Sequence, residues 1–459
     1  MSNLSMDQAV EVALELLGAD GGVAVGEVNA VRNLRWANSS LTTNGDTIDN
    51  TLSLAAFVPV NDGVASGIVS GQVRNREDIQ GLVAAARASA RAAGASQDAM
   101  DLVAGAQHSN FAAPATQAVD DGLGDIAQQL SEVFSDTSSQ YFGYAEYSHD
   151  TTYVATSAGT RLRYEQPTAR FELCAKSPDR TKSAWSGQSA KTLGDIVVAP
   201  HSSRVRAGIA HQANRIDVEP GQHTVTLSPS AFADLMIYLL WTASAREANE
   251  GRSVFSNPLG GTRIGERLTQ RELTVATDPT LRGLETSDAV INLGASSMSS
   301  SFDTGLPITR SEILSSGVLN ALASSRYAAH EANLPFTPIT DNIEVSDAHG
   351  SGSLDDLAAR MSDGLLITCL WYIREVDPQS LLLTGLTRDG VYVVRNGEIV
   401  GCANNFRFNE SPVGMLSRIT DAGTAIDCLP REWADWFSRS RVCPVTVDGF
   451  NLSTRSDAI

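Results

Sequence analysis

Basic charge is in short supply in this chain. Its 459 residues carry 34 Lys and Arg against 53 Asp and Glu, a formal net charge of −19 at pH 7. That balance argues against a general polyanion binder, so no nucleic-acid partner is expected. Only Lys176, Lys182 and Lys191 are lysines, and no Lys or Arg at all lies between Ala92 and Thr160. Long apolar runs are missing too. The most apolar stretch, Leu235–Trp241, fades into Thr242-Ala243-Ser244, well short of the roughly 20 residues a spanning helix needs. No membrane association is expected. The first ten residues, MSNLSMDQAV, lack the basic start and apolar stretch of a signal peptide, which points to a cytoplasmic protein.

Cysteine is sparse as well. Cys174, Cys369, Cys402, Cys428 and Cys443 are odd in number and none is paired as C-x-x-C, which excludes the usual paired-cysteine zinc sites and suits a reducing compartment. No phosphate-binding G-x-x-x-x-G-K-[ST] loop and no G-x-S-x-G elbow occurs. The seven histidines never stand four or five residues apart, so a two-histidine metal helix is absent. His330-Glu331 resembles the start of one, but Leu334 and Pro335 follow where a second imidazole would be needed. It reads instead as the last turn of a helix, with the imidazole near the negative end of the dipole.

What remains is ordinary globular material, 42% hydrophobic and 19% charged, long enough for two or three domains. Ser5 and Gln8 have capping-box spacing ahead of Met6, Val10, Ala13, Leu14 and Leu17, with Gly18 as the stop. Strand-like segments fill 22–70, with turns expected at Asn44-Gly45 and Asn61-Asp62-Gly63. Asn75 opens a second helix that ends at Gly94, and Leu123, Ile126, Leu130 and Val133 mark a third. Residues 95–116 read as a mobile connection. Short strands follow at 141–147, 151–157, 161–164 and 171–175, with Arg161, Arg163, Arg170, Lys176, Arg180 and Lys182 on their solvent side. Glu219-Pro220-Gly221 suggests a boundary, giving an N-terminal α+β domain over 1–215 and a C-terminal domain over 216–459. The second is expected to be mainly antiparallel β, open and barrel-like, around one buried helix begun by Ser228 and Pro229. A further helix is expected around Ile313–Ala332.

The C-terminal third carries Gly364-Leu-Leu-Ile-Thr-Cys-Leu-Trp-Tyr-Ile-Arg-Glu-Val376, then a stretch from Leu383 to Ile399, then Asn404-Asn-Phe-Arg-Phe-Asn409. Within these, Thr384, Gly385, Thr387, Arg388, Gly390, Asn396, Gly397 and Glu398 match the sheet motif of the TldD/PmbA family, which the chain resembles. That family is also known as modulators of DNA gyrase. Its TldD type carries His-Glu-x-x-x-His on the first C-terminal helix, as zinc ligands and general base; its PmbA (TldE) type lacks it. Laid on this chain, the motif falls on Ile237, Tyr238 and Thr242, which are not zinc ligands. The resemblance therefore implies a non-catalytic PmbA/TldE-like subunit with no catalytic residue, metal ligand or cofactor of its own. Zinc is expected in a TldD-like partner subunit, and the heterodimer would process unfolded and leader peptides. A homodimeric peptide-binding or regulatory protein without activity is the alternative, and a hydrolase using one of the thiols is a third reading. For substrate or partner contacts the candidates are Arg374, Arg388, Asn404, Asn405 and Arg407, each of which could equally be a hydrogen-bonder within a sheet.

Overall fold

The computed structural model describes residues 4–116 and 122–456. Its fold is α+β, with three open sheets and no closed barrel. The first sheet consists of β1 (Gly22–Ala37), β2 (Ser40–Val60), β3 (Gly63–Gly71), β4 (Gln140–Thr156), β5 (Arg161–Lys176) and β6 (Ser183–Ala190). Its order is β3-β2-β1-β4-β5-β6, antiparallel throughout.

These strands are longer than the sequence suggests. Asn44-Gly45 makes no turn, because Gly45 pairs with Asn33 inside the β1–β2 ladder. The reversal lies at Asn38-Ser39, where φ is 51° and 58°, the two left-handed residues of a tight hairpin. β4 and β5 likewise run on through the expected breaks. Pro167 is tolerated within β5 because β6 pairs only from Ala169 onward, so no ladder donor is missing there.

Helices α1 (Met6–Leu17), α2 (Arg76–Ala93), α3 (Leu123–Phe134) and α4 (Val198–His211) cover one face of this sheet. Their ends follow local chemistry. The Ser5 N–H donates to Gln8 Oε1 at 3.3 Å, and Asn75 Oδ1 accepts from the N–H groups of Glu77 and Asp78. Residues 95–116, expected to be mobile, are packed. Ala99, Met100 and Leu102 lie against an apolar cluster, and Phe111 meets Tyr153 edge-on. Arg163, expected on the solvent side, is buried and donates to the carbonyls of Ala113 and Pro114. The segment thus supplies acceptors for a cation the sheet could not otherwise bury.

Beyond it come β7 (Gly221–Leu227) and α5 (Pro229–Thr242). Ser228 Oγ accepts from the Ala231 N–H, and eleven of the fourteen helical residues are buried. α5 shares one core with both remaining sheets. One sheet is ordered Val318–Leu319, Ser311–Ser315, Leu273–Thr277, Ile343–Asp347, Ser440–Val442, Ile426–Cys428. The other has nine strands and brings Leu370–Asp377, Leu382–Thr387, Asn405–Glu410, Val445–Ser456 and β7 side by side. The helix expected over 313–332 is mostly a hairpin, turning at Ser316-Gly317 with φ 45° and 83°; only Arg326–Ala332 is helical, capped by Ser325. Its last turn carries His330, as expected, with the imidazole exposed. Among the described residues no helix is long and apolar enough to cross a membrane.

Candidate functional site

The polar groups around α5 fall into three neighbouring settings. On the helix itself Ile237 is fully buried, Tyr238 packs on Trp433 at 5.7 Å, and Trp241 meets the same indole at 4.9 Å. Thr242 spends its hydroxyl on the carbonyls of Tyr238 and Leu239. An aliphatic side chain, a phenol in an aromatic stack and a back-bonded hydroxyl supply no imidazole or carboxylate, so the residues present do not fit zinc.

One turn earlier stands Asp234, fully buried, the only charged residue of α5. Its Oδ1 accepts from the Glu432 N–H at 3.1 Å, while the Trp433 indole N–H donates to its carbonyl. Burial, and then the neighbouring Glu432 carboxylate, push its carboxyl well above the usual range. A protonated acid is the form such a place favours. Glu432 in turn accepts from the backbone N–H groups of Tyr372 and Ile373 and from Arg374 Nη1 at 3.1 Å. It holds open the irregular stretch of the Leu370–Asp377 strand where Tyr372 takes φ 55°.

Arg388 belongs to the next setting. Its N–H donates to the Cys369 carbonyl, and its guanidinium lies over Trp371 at 5.5 Å and 3.6 Å from Asp389. Arg431 approaches the same Asp389 oxygen to 3.3 Å and is flanked by Trp185 at 4.8 Å and Trp371 at 5.4 Å. Asp389 is 2% exposed. This cluster ties β6, through Trp185, to the nine-stranded sheet. About a third of the Arg388 side chain reaches solvent, while its Nε is buried without a hydrogen-bond partner among the described residues.

The other predicted residues lie one strand away. Thr387 donates to Asn405 Oδ1 at 3.2 Å, Arg407 Nη1 to Thr384 Oγ1 at 3.3 Å, and Asn404 Nδ2 to the Asn405 carbonyl at 3.1 Å. These bonds run along and across neighbouring strands: Thr384, which accepts from Arg407, stands opposite Arg374 in the ladder, and Thr387, which donates to Asn405, precedes Arg388. Sequence reasoning missed Asp234, Asp389, Arg431 and Glu432. Asp234 had a signal, a lone acid in a helix apolar on nearly every face; Asp389 stands beside Arg388 in the family-like motif, whereas Arg431 and Glu432 had none, since their partners are far off in the chain. The thiols offer no nucleophile. Burial pushes Cys174 and Cys443 up to about 12 and raises Cys369, Cys402 and Cys428 as well.

A polar crevice separates the first sheet from the C-terminal half. The sheet face turned away from the helices carries Glu27, Asn29, Glu146, Asp150, Thr168 and Arg170 in register. Arg439 crosses to it, donating to the Pro167 carbonyl and to Thr168 Oγ1, beside a cavity of about 80 Å³. Burial raises the Asp150 carboxyl to about 6, against the pull of Arg439 and with help from Glu27 and Glu146. Glu27 is open to water yet also raised, because protein surrounds it on several sides. Such a place suits polar, water-bearing contents rather than a dry interface.

Fold and site together define an α+β protein of three open sheets in which, among the described residues, no group of three or more His, Cys, Asp or Glu side chains comes together as a metal site. The chain belongs to the PmbA/TldD family: the profile described as PmbA/TldA metallopeptidase C-terminal domain matches residues 220–454, just over half of it. No curated protein matches the chain in sequence. Among solved structures it resembles TldE from Thermococcus kodakarensis, with a TM-score of 0.77, 13% identity, and coverage of 98% of this chain and 100% of that one. A candidate modulator of DNA gyrase from Bacteroides thetaiotaomicron gives 0.75 at 14% identity, covering 97% and 98%. Another from Thermotoga maritima gives 0.74 at 16%, covering 96% and 99%. At these identities the likeness establishes the fold.

Proposed function

We propose that this chain is the non-catalytic, PmbA/TldE-like subunit of a cytoplasmic heterodimeric zinc metallopeptidase, shaping the chamber in which a TldD-like partner cleaves unfolded or leader peptides. The observation that carries this reading is α5. Where a zinc helix presents imidazoles and a carboxylate, this one presents Ile237, Tyr238 and Thr242 and closes the space with Trp241 and Trp433. Membership of a metallopeptidase family and the likeness to a TldE over nearly the whole chain support it. In this reading Arg388 is the substrate-facing cation. Trp371 and Asp389 orient its guanidinium, whose exposed part takes a carboxylate of an extended peptide.

The test is bound zinc and cleavage of an unstructured peptide, for the chain alone and mixed with a TldD-like subunit. Metal-free and inactive alone, with activity that requires both chains, is the expected result. Stoichiometric zinc in this chain, or equal cleavage by the partner without it, would refute the proposal.

A further inference from the structure

Arg439 stands apart from the other arginines. Among the described residues, every other arginine that is not exposed has a carboxylate oxygen within 3.6 Å, whereas Arg439 forms no ion pair. Both of its side-chain hydrogen bonds come from Nη2, to the Pro167 carbonyl and to Thr168 Oγ1. Nε and Nη1 are left without a protein acceptor among the described residues. Burial also pulls its pKa below the usual arginine value, against the attraction of Asp150, Asp341 and Glu285. A half-buried cation with no counter-charge is costly to keep.

The three carboxylates face Arg439 without answering it. Burial raises Asp150 to about 6 and raises Asp341 as well, in spite of the guanidinium, whereas a close ion pair would hold both low. Glu285 is kept low, against burial, by backbone N–H groups and then by Lys191 and Arg282. Beside Arg439 lies the cavity of about 80 Å³, lined also by Thr168, Lys191 and Ser438. It has space for a few water-sized groups, enough for a carboxylate. The Thr168 hydroxyl accepts from Arg439 and so keeps its own proton to donate. Lys191 is exposed, which leaves its ammonium free to meet an incoming anion.

We propose that this cavity is a binding site for a carboxylate, held by the charges of Arg439 and Lys191 and by the Thr168 hydroxyl. A small free acid and the C-terminal end of a peptide offer the same group. The inference stands on the crevice alone and is independent of the peptidase reading.

Thermal midpoints of the full chain at pH 7, in sodium acetate and in sodium chloride of equal concentration, test it. A ligand of the native state raises the midpoint, so the parent is expected to climb with acetate and not with chloride. Arg439→Gln is expected to bind acetate at least about tenfold more weakly, which separates the site from any general effect of the salt. In chloride this variant is expected to melt no lower than the parent, because it loses an unpaired cation. Lys191→Gln, at an exposed position where the fold does not depend on the side chain, is expected to weaken acetate binding about threefold. Competition then identifies the source. A short unstructured peptide with a free C-terminus that displaces acetate, where its C-terminal amide does not, supports the site as one for a chain end; acetate binding untouched by either peptide supports it as one for a small free acid. A parent that acetate stabilises no more than chloride does, or an affinity for acetate unchanged in Arg439→Gln or in Lys191→Gln, would overturn the proposal.

Discussion

The two faces of the six-stranded sheet share one backbone and differ in chemistry. On one face of β4, Tyr141, Ala145, Tyr147 and Tyr153 are buried beneath the helices, which give that face Ile126, Leu130, Val133, Val83 and Ala86. The opposite face also lies against protein, yet it is apolar only at its ends. There Phe57 stacks on Phe302 at 4.3 Å, and Trp185 packs on Leu429. Between them stand Glu27, Asn29, Glu146 and Asp150. If this second contact existed only for stability, apolar residues would serve it better, since a buried unpaired carboxylate costs several kcal/mol. The difference separates a face that makes the fold from one that keeps a polar space open between two halves.

The sharpest way to break this comparison is at the seam, where Arg431 is held between two indoles against a buried carboxylate. Arg431→Ala leaves Asp389 with a single cation at 3.6 Å. A loss of about 3–5 kcal/mol is expected, read as a lower midpoint in urea unfolding. Arg431→Lys recovers only part of it, because an ammonium cannot replace a planar group between rings. On the helix side, Leu130→Ala creates a cavity and is expected to cost about 2–5 kcal/mol. A seam variant that costs far less than the Leu130 variant would mean the two halves are only loosely joined. Asp234 is a milder probe. Its folded pKa is raised, so its contribution is complete at acidic pH, below its unfolded value, and is lost as pH climbs toward the folded one. Asp234→Asn keeps the acceptor for the Glu432 N–H and escapes that loss; it is expected to match or exceed the parent at pH 8. Asp234→Ala, which strands that donor, is expected to lose about 1–3 kcal/mol.

Local chemistry made much of the fold legible. α1, α2, α3 and α5 follow from 3.6-residue periodicity and from Ser5, Asn75, Ser228 and Pro229 at their starts. The hairpin at Asn396-Gly397 forms with φ 52° and 79° because both residues tolerate the left-handed region. Where the same dipeptide misled, at Asn44-Gly45, neighbouring strands supplied a continuous ladder and Asn38-Ser39 took the turn. Propensity is a local signal, and pairing on both sides can override it. The site was less legible for a similar reason. Arg388 was visible in a family-like motif, but Arg431, which shares Asp389 with it, lies 43 positions on, after Pro430, in a segment with no pattern of its own. The second guanidinium on Asp389, that of Arg431, is a product of tertiary structure alone.

The gentlest test lies in the polar middle of the second face. Asp150, with its carboxyl raised to about 6, accepts from Asn29 Nδ2 at 2.5 Å. Because the folded value lies above the unfolded one, the acid form stabilises the native state. That stability is fully present below about pH 4, is lost as pH rises through about 6, and is absent above it. Asp150→Asn removes the titration while keeping an acceptor for Asn29. The variant is therefore expected to equal the parent in acid and to become the more stable of the two above pH 6, by a small margin because water reaches the group. Thermal midpoints of both proteins from pH 4 to pH 8 read the difference directly. If the gap fails to open, Asp150 is ionised at little cost, the space around it is wetter than the packing implies, and the second face differs from the first only in being bathed in solvent.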